Sequence, residues 1–207
     1  MSWSKILDKL ENTNCRLSVE DAVELYRNAP LHDLRTSAHK VRMRINGNQN
    51  VTYLIDRNIN YTNVCTINCQ FCSFYRPPGH SETYTQSIDE ISQRVKELED
   101  IDGVRILMQG GVNPDLGIDY YKNLLSELRI RHPNIDIDCF SPIEIEGISE
   151  VTGMSTIEVL QELKLSGMHG LPGGGAEMLV ENVRKDVSPK KGHPDNWLRV
   201  MEEAQSL

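Results

Sequence analysis

The chain has 207 residues, 22 of them Lys or Arg and 30 Asp or Glu, for a formal charge of -8. That length can bury a sizeable core in one domain, and the acidic balance argues against general nucleic-acid or anionic-membrane binding, so neither is expected as a partner. The opening MSWSKILDKLENTN lacks the apolar core of a signal peptide, and no run approaches the roughly 18 apolar residues of a membrane span, which predicts a cytoplasmic location.

The first 50 residues read as a helical segment and 51–207 as alternating strands and helices. In LSVEDAVELYRNAP, Ser18 is an N-cap with Asp21 three residues on, Val19, Ala22, Val23 and Tyr26 form an apolar stripe, and Pro30 is a stop. LHDLRTSAHKVRMRI continues as a second helix closed by Gly47, and the β-branched and aromatic VTYLID predicts the first strand. SIDEISQRVKELEDI places Ile88, Ile91, Val95 and Leu98 on one helical face behind Ser87. Then come strand GVRILMQGG, helix IDYYKNLLSELRIRHP, strand IDIDCFSP, helix STIEVLQELKLSG, an apolar turn into LPGGGAEM, and a helix from about Asp195.

Strands alternating with helices predict an α/β protein of parallel βα units, whose active face is the rim of loops at the strands' carboxyl ends. CTINCQFC, QGGVNP, FSPIE and GGGAE each follow a strand, so four loops are expected on one rim. The most informative of them places Cys65, Cys69 and Cys72 inside eight positions. In a reducing cytosol, clustered thiols point to metal or redox chemistry rather than to disulfides. A closed zinc site wants a fourth ligand, for which His80 or Cys139 is available. An iron-sulfur cubane held by only three cysteines keeps one iron open for a small ligand. Cys15 and Cys139 otherwise read as ordinary small side chains.

The C-x3-C-x2-C loop, with Phe71 immediately before the third cysteine, resembles the signature of radical S-adenosylmethionine enzymes. DRNINYTNVC, FCSFYRPPG, MQGGVNPDLGIDYY, FSPIEI, LPGGGAE and SPKK resemble the cyclic dehypoxanthinyl futalosine synthases of the futalosine route to menaquinone, a match that runs from about residue 34 to the end. Aminofutalosine synthase and the radical enzymes of deazaflavin synthesis share the cysteine loop and PGGGAE, whereas MQGG and SPKK favour the cyclase.

The resemblance implies a partial (β/α) barrel of the TIM type, with about four βα units after the N-terminal helical segment. It implies a 4Fe-4S cluster on Cys65, Cys69 and Cys72, with S-adenosylmethionine on the open iron. A flavodoxin or ferredoxin-type donor would supply the electron that cleaves the cofactor. The resulting 5'-deoxyadenosyl radical would abstract hydrogen from the ribose-derived part of dehypoxanthine futalosine, and the substrate radical would close onto the aromatic ring.

Phe71 reads either as core or as a wall for the adenine. Gly110 and Gly111 form either a tight turn or a place where backbone approaches the methionine amino group. Ser141 offers a polar contact to cofactor or substrate, and Glu177 an acceptor for the ribose hydroxyls. GGGAE lacks the Lys-Ser/Thr ending of a P-loop. Glu144 and Glu146 read as solvated surface carboxylates, and the six histidines as satisfied or exposed. The family's chains are considerably longer and continue the barrel, which implies a fragment, half of a split enzyme, or a truncation that no longer turns over. A second chain supplying the missing strands is the partner that this gap implies. A non-catalytic zinc-binding or interaction module on the same βα layout is the alternative from a different class.

Overall fold

The computed structural model describes all 207 residues. The chain folds as two compact units, Met1–Tyr53 and Leu54–Leu207. No helix is long and apolar enough to cross a membrane.

The first unit holds α1 (Trp3–Asn12), α2 (Val19–Asn28) and α3 (Leu31–Asn46). Ser18 caps α2, its hydroxyl accepting from the Asp21 N–H at 3.1 Å. The apolar stripe expected on α2 faces outward instead, with Val19 76% and Tyr26 90% exposed. The face that packs carries Leu25, which joins Ile6 and Leu7 in a small core flanked by Trp3, Leu10, Ala29 and Leu34. Helical periodicity admits either face, and the packing partners on α1 select the one with Leu25. α3 ends at Gly47, whose left-handed φ of 67° lets its N–H reach the Met43 carbonyl at 2.9 Å.

The second unit contains β1 (Asp56–Ile59), α4 (Ile88–Glu99), β2 (Arg105–Met108), α5 (Ile118–Arg131), β3 (Asp136–Cys139), α6 (Pro142–Thr152), α7 (Thr156–Leu165), α8 (Glu181–Val187) and α9 (Pro194–Ser206). The strands form one parallel sheet in the order β1-β2-β3. The first strand is therefore not VTYLID but the more polar DRNI that overlaps its end. Val51 and Tyr53 are 79% and 86% exposed, whereas pairing begins at Asp56 opposite Arg105 and continues to Ile59, which is fully buried. A neighbour for the backbone outweighs β-propensity here. A fourth unit is present only as a single parallel bridge between Asp138 and Gly170, supported by Cys139 N–H donating to the Gly170 carbonyl at 2.9 Å.

Alternate strand residues Ile59, Ile106, Met108, Ile137 and Cys139 face the helices. There they meet Ile91, Val95 and Leu98 of α4, Leu124, Leu125 and Leu128 of α5, and Val159, Leu160 and Leu163 of α7. On the other face Arg105 bridges Asp56 at 2.7 Å and Asp138 at 3.2 Å. Capping boxes start α4 at Ser87 and Glu90, and α7 at Ser155 and Glu158. With the helices on one side, the loops after the strands gather at the carboxyl rim.

Candidate active site

Four loops meet around a cavity of about 240 Å³. The loop after β1 contributes Cys65, Cys69, Phe71 and Cys72. The loop after β2 contributes Gly110 and Gly111, the β3–α6 junction Ser141, and the loop before α8 Glu177. All eight residues singled out from the sequence thus line one cavity, together with Gln109, Glu144 and Lys191, which were not singled out as site residues. A larger open groove of about 880 Å³ along β1 and α4, lined by Asn58, Gln93 and Arg94 among others, contains no thiol.

Backbone hydrogen bonds hold the cysteine loop. Cys65 N–H donates to the Arg76 carbonyl at 2.9 Å, Thr66 N–H to Val112 at 3.1 Å, Gln70 N–H to Val187 at 2.9 Å, and Cys72 N–H to Cys69 at 3.1 Å. All three thiols are free. No three His, Cys, Asp or Glu side chains converge as ligands of a single ion. A single zinc needs such convergence on one point, whereas a cubane takes each thiolate on a different iron, so three free thiols lining one cavity suit the cluster. The proposed fourth zinc ligands are also absent from the cavity lining. Cys139 is fully buried in the strand core, where burial pushes its thiol pKa up, and His80 accepts the Glu82 N–H at 3.1 Å in its own loop.

The glycines of QGG matter for space rather than for conformation, since neither Gly110 nor Gly111 has a positive φ. A Cβ on Gly111 would run into the Val64 carbonyl oxygen and come within 2.7 Å of Cys65 Cβ; one on Gly110 would sit 2.7 Å from the Tyr61 ring. The β2 loop therefore packs directly against the start of the cysteine loop.

Glu144 corrects the sequence reading most sharply, for it is 4% exposed rather than solvated. Its Oε1 accepts from Tyr61 Oη at 2.8 Å and from Gly110 N–H at 2.9 Å, and its Oε2 from Ser141 Oγ at 2.7 Å. One carboxylate thus joins the ends of β1, β2 and β3. Burial outweighs these three bonds and lifts its pKa to about 7. Ser141 is the N-cap of α6 with Glu144 three residues on, a capping signature that was readable but gave no sign of burial. The Ser141 hydroxyl proton accordingly goes to Glu144 rather than into the cavity. Phe140, at φ 64°, turns the chain from β3 into α6, a left-handed conformation costing on the order of 1–2 kcal/mol in a bulky residue. Edge-to-face packing of its ring on Tyr61 and Tyr121, at 5.8 and 5.4 Å, holds it there. Glu146 departs from the solvated reading too: its side chain is 17% exposed beside Arg199 at 3.4 Å, and burial raises its pKa.

Phe71 is 54% exposed, so it belongs to the cavity wall and not to the core. Lys191 Nζ stands 5.2 Å from its ring centroid and donates to Glu177 Oε2 at 2.5 Å. Arg184, 2% exposed, fixes the GGGAE loop by donating to the carbonyls of Gly175 and Gly192 at 2.9 and 3.0 Å, and Trp197 Nε1 donates to Gly174 at 3.0 Å. His132, the buried histidine, is satisfied by Ser92 at 2.8 Å and Glu99 at 3.0 Å.

A parallel βα sheet that carries three free thiols on its first loop, with glycines and a carboxylate facing them, defines the class of enzymes that seat an iron-sulfur cluster at the mouth of an α/β barrel. The chain belongs to the radical S-adenosylmethionine superfamily, whose family model, described as "Radical SAM superfamily", matches residues 59–207. Its cofactors are accordingly a 4Fe-4S cluster and S-adenosylmethionine, and the donor set fits them. The chain is 42% identical over 207 residues to cyclic dehypoxanthine futalosine synthase of Halalkalibacterium halodurans, covering 100% of this chain and 56% of that protein. It is 36% identical over 185 residues to aminodeoxyfutalosine synthase of Streptomyces coelicolor, covering 89% and 48%. Among solved structures, the FeFe-hydrogenase maturase HydG from Carboxydothermus hydrogenoformans superposes with a TM-score of 0.69 at 22% identity, over 99% of this chain and 45% of that one, a likeness of fold alone. The similarity to the futalosine enzyme reaches back to the first residue, beyond the resemblance that begins at about residue 34. The chain spans about half the length of the curated relatives it matches.

Proposed function

We propose that this chain is the cofactor-binding part of a cyclic dehypoxanthine futalosine synthase. In this reading Cys65, Cys69 and Cys72 hold the cluster. When bound, the cluster and S-adenosylmethionine supply a 5'-deoxyadenosyl radical that abstracts hydrogen from the substrate. The polypeptide binds, orients and shields. The Gly110–Gly111 backbone forms the wall for the methionine half, Phe71 the wall for the adenine, and Glu177 accepts from the ribose hydroxyls. Ser141 serves indirectly, by fixing Glu144 and through it Gly110. Small-molecule dehypoxanthine futalosine is the substrate, and a flavodoxin or ferredoxin-type protein the electron donor.

The reaction class is carried by one observation, the meeting of three free thiols with residues of three other loops around one cavity. The substrate reading is supported by the 42% identity, over the whole chain, to the futalosine cyclase of Halalkalibacterium halodurans; the cyclase and the aminodeoxyfutalosine enzyme of Streptomyces coelicolor are each 36% identical to this chain. That second relative supplies the competing reading, because it shares the cofactor half.

The test is anaerobic turnover of this chain joined to the carboxyl-terminal half of the Halalkalibacterium halodurans protein, quantifying 5'-deoxyadenosine together with product. Cyclised product formed in step with 5'-deoxyadenosine is expected. A hybrid that holds its cluster and releases 5'-deoxyadenosine but forms no cyclised product would overturn the cyclase assignment. The 207-residue chain alone is expected to release 5'-deoxyadenosine with far less product, since a misplacement of about 1 Å can cost on the order of a hundredfold in rate.

A further inference from the structure

We propose that Lys191 is a positioning residue of this cavity, fixing the Glu177 carboxylate against the Phe71 wall. The inference rests on the cofactor-binding reading above. Lys191 is 7% exposed, and its side chain makes one hydrogen bond, from Nζ to Glu177 Oε2 at 2.5 Å. The same ammonium lies 5.2 Å from the Phe71 centroid, so one cation holds a carboxylate of the fourth loop and an aromatic ring of the first. A buried ammonium requires such compensation, and supplying it restricts both partners.

Neighbouring contacts run the same way. Gln70 N–H donates to the Val187 carbonyl at 2.9 Å and Lys190 Nζ to the Thr66 carbonyl at 3.3 Å, so the segment 187–191 touches the cysteine loop at three points. Arg184 anchors the segment from behind, donating to the carbonyls of Lys191 at 3.3 Å and Gly192 at 3.0 Å while also holding Gly175. The Glu177 side chain is 42% exposed and has no hydrogen-bond partner other than Lys191. Without the ammonium, nothing else in the protein aims that carboxylate.

The experiment is a double-mutant cycle read as S-adenosylmethionine affinity by equilibrium dialysis, on anaerobically reconstituted protein without reductant so that the cofactor stays intact. Lys191→Met is expected to weaken binding about tenfold and Lys191→Arg to recover most of it. Glu177→Gln should lose a similar factor, and the double variant no more than the worse single one, because the two side chains act as one unit. Iron content and thermal midpoint are measured on each sample, and Lys191→Gln replaces Lys191→Met if the latter does not fold. Wild-type affinity in the Lys191 variant, or multiplied losses in the double variant, would overturn the proposal while leaving the cofactor reading intact. Wild-type protein that holds its iron but binds no S-adenosylmethionine would overturn the cofactor reading and this inference with it.

Discussion

Glu144 and the three cysteines face the same cavity, and the polar groups of the two walls have opposite fates. Glu144 has both oxygens occupied by donors from Tyr61, Gly110 and Ser141. The cysteine sulfurs have almost no protein partners: Cys65 Sγ accepts a marginal contact from Ile67 N–H at 3.5 Å. An unpaired carboxylate would be costly to bury, so its wall must be complete within the polypeptide, whereas weakly hydrogen-bonding thiols can be kept for iron at little cost. The scaffold and the ligand set of one site are therefore separable, and each is open to mutation without the other.

The largest expected effect is on the ligand side. Cys65→Ala, Cys69→Ala and Cys72→Ala should each reduce cluster iron and sulfide to background after anaerobic reconstitution, with the unfolding midpoint of the iron-free protein little changed. Cys15→Ala and Cys139→Ala should retain full iron. Loss of the cluster in Cys139→Ala would restore a four-cysteine site and end the separation of scaffold from ligands.

On the scaffold side, Glu144→Ala should destabilise the fold by about 3–5 kcal/mol in urea unfolding, since three buried or partly buried donors lose their acceptor together. Its pH dependence has a definite sign. A carboxyl whose folded pKa is about 7, above its unfolded value of about 4.3, is protonated more readily in the native state. Its contribution is fully present below pH 4 and is lost as pH rises through 7, a change of roughly 3 kcal/mol. The stability difference between wild type and Glu144→Gln, which lacks this titration, should therefore shift against wild type by that order between pH 4 and pH 8. A flat difference would place Glu144 in a more solvated setting than its contacts indicate.

The two walls also differ in how readily the sequence discloses them. Three cysteines within eight positions declare themselves locally, because the loop that presents them is a continuous stretch. The same holds for the caps at Ser18, Ser87 and Ser155, each settled by a residue three positions on. Glu144 is buried by Tyr61, 83 residues away, and Gly110, 34 away, and no local pattern encodes such partners. Lys191 meets Phe71 in the same non-local way. The misplaced first strand and the outward stripe of α2 have a related cause: propensity and periodicity describe a segment, while the neighbour that pairs with it or covers it decides where the element falls.

Gly111→Ala tests the contact between the walls. The added methyl would meet the Val64 carbonyl, part of a backbone that cannot swing aside like a flexible side chain. A destabilisation of roughly 1–3 kcal/mol is expected, accompanied by reduced iron incorporation because the strain falls at Cys65. Full iron incorporation with unchanged stability would show that the cysteine loop yields freely, and that the glycine is not needed for packing.

The smallest effect should come from Ser141→Ala, which removes one of three donors to Glu144 and the side-chain cap of α6 while leaving Tyr61 and Gly110 in place. Loss of an N-cap typically costs about 1 kcal/mol. The surviving bonds keep the carboxylate at the junction of the strand ends, so iron content should be unaffected. The informative readout is the pH profile. The Ser141 bond lowers the Glu144 pKa against the larger effect of burial, so its removal should raise that pKa further and move the loss of stability to higher pH. A shift to lower pH would mean that water enters and solvates Glu144 once the hydroxyl is gone. The scaffold wall would then be sealed by Ser141 itself rather than by the packing around Tyr61.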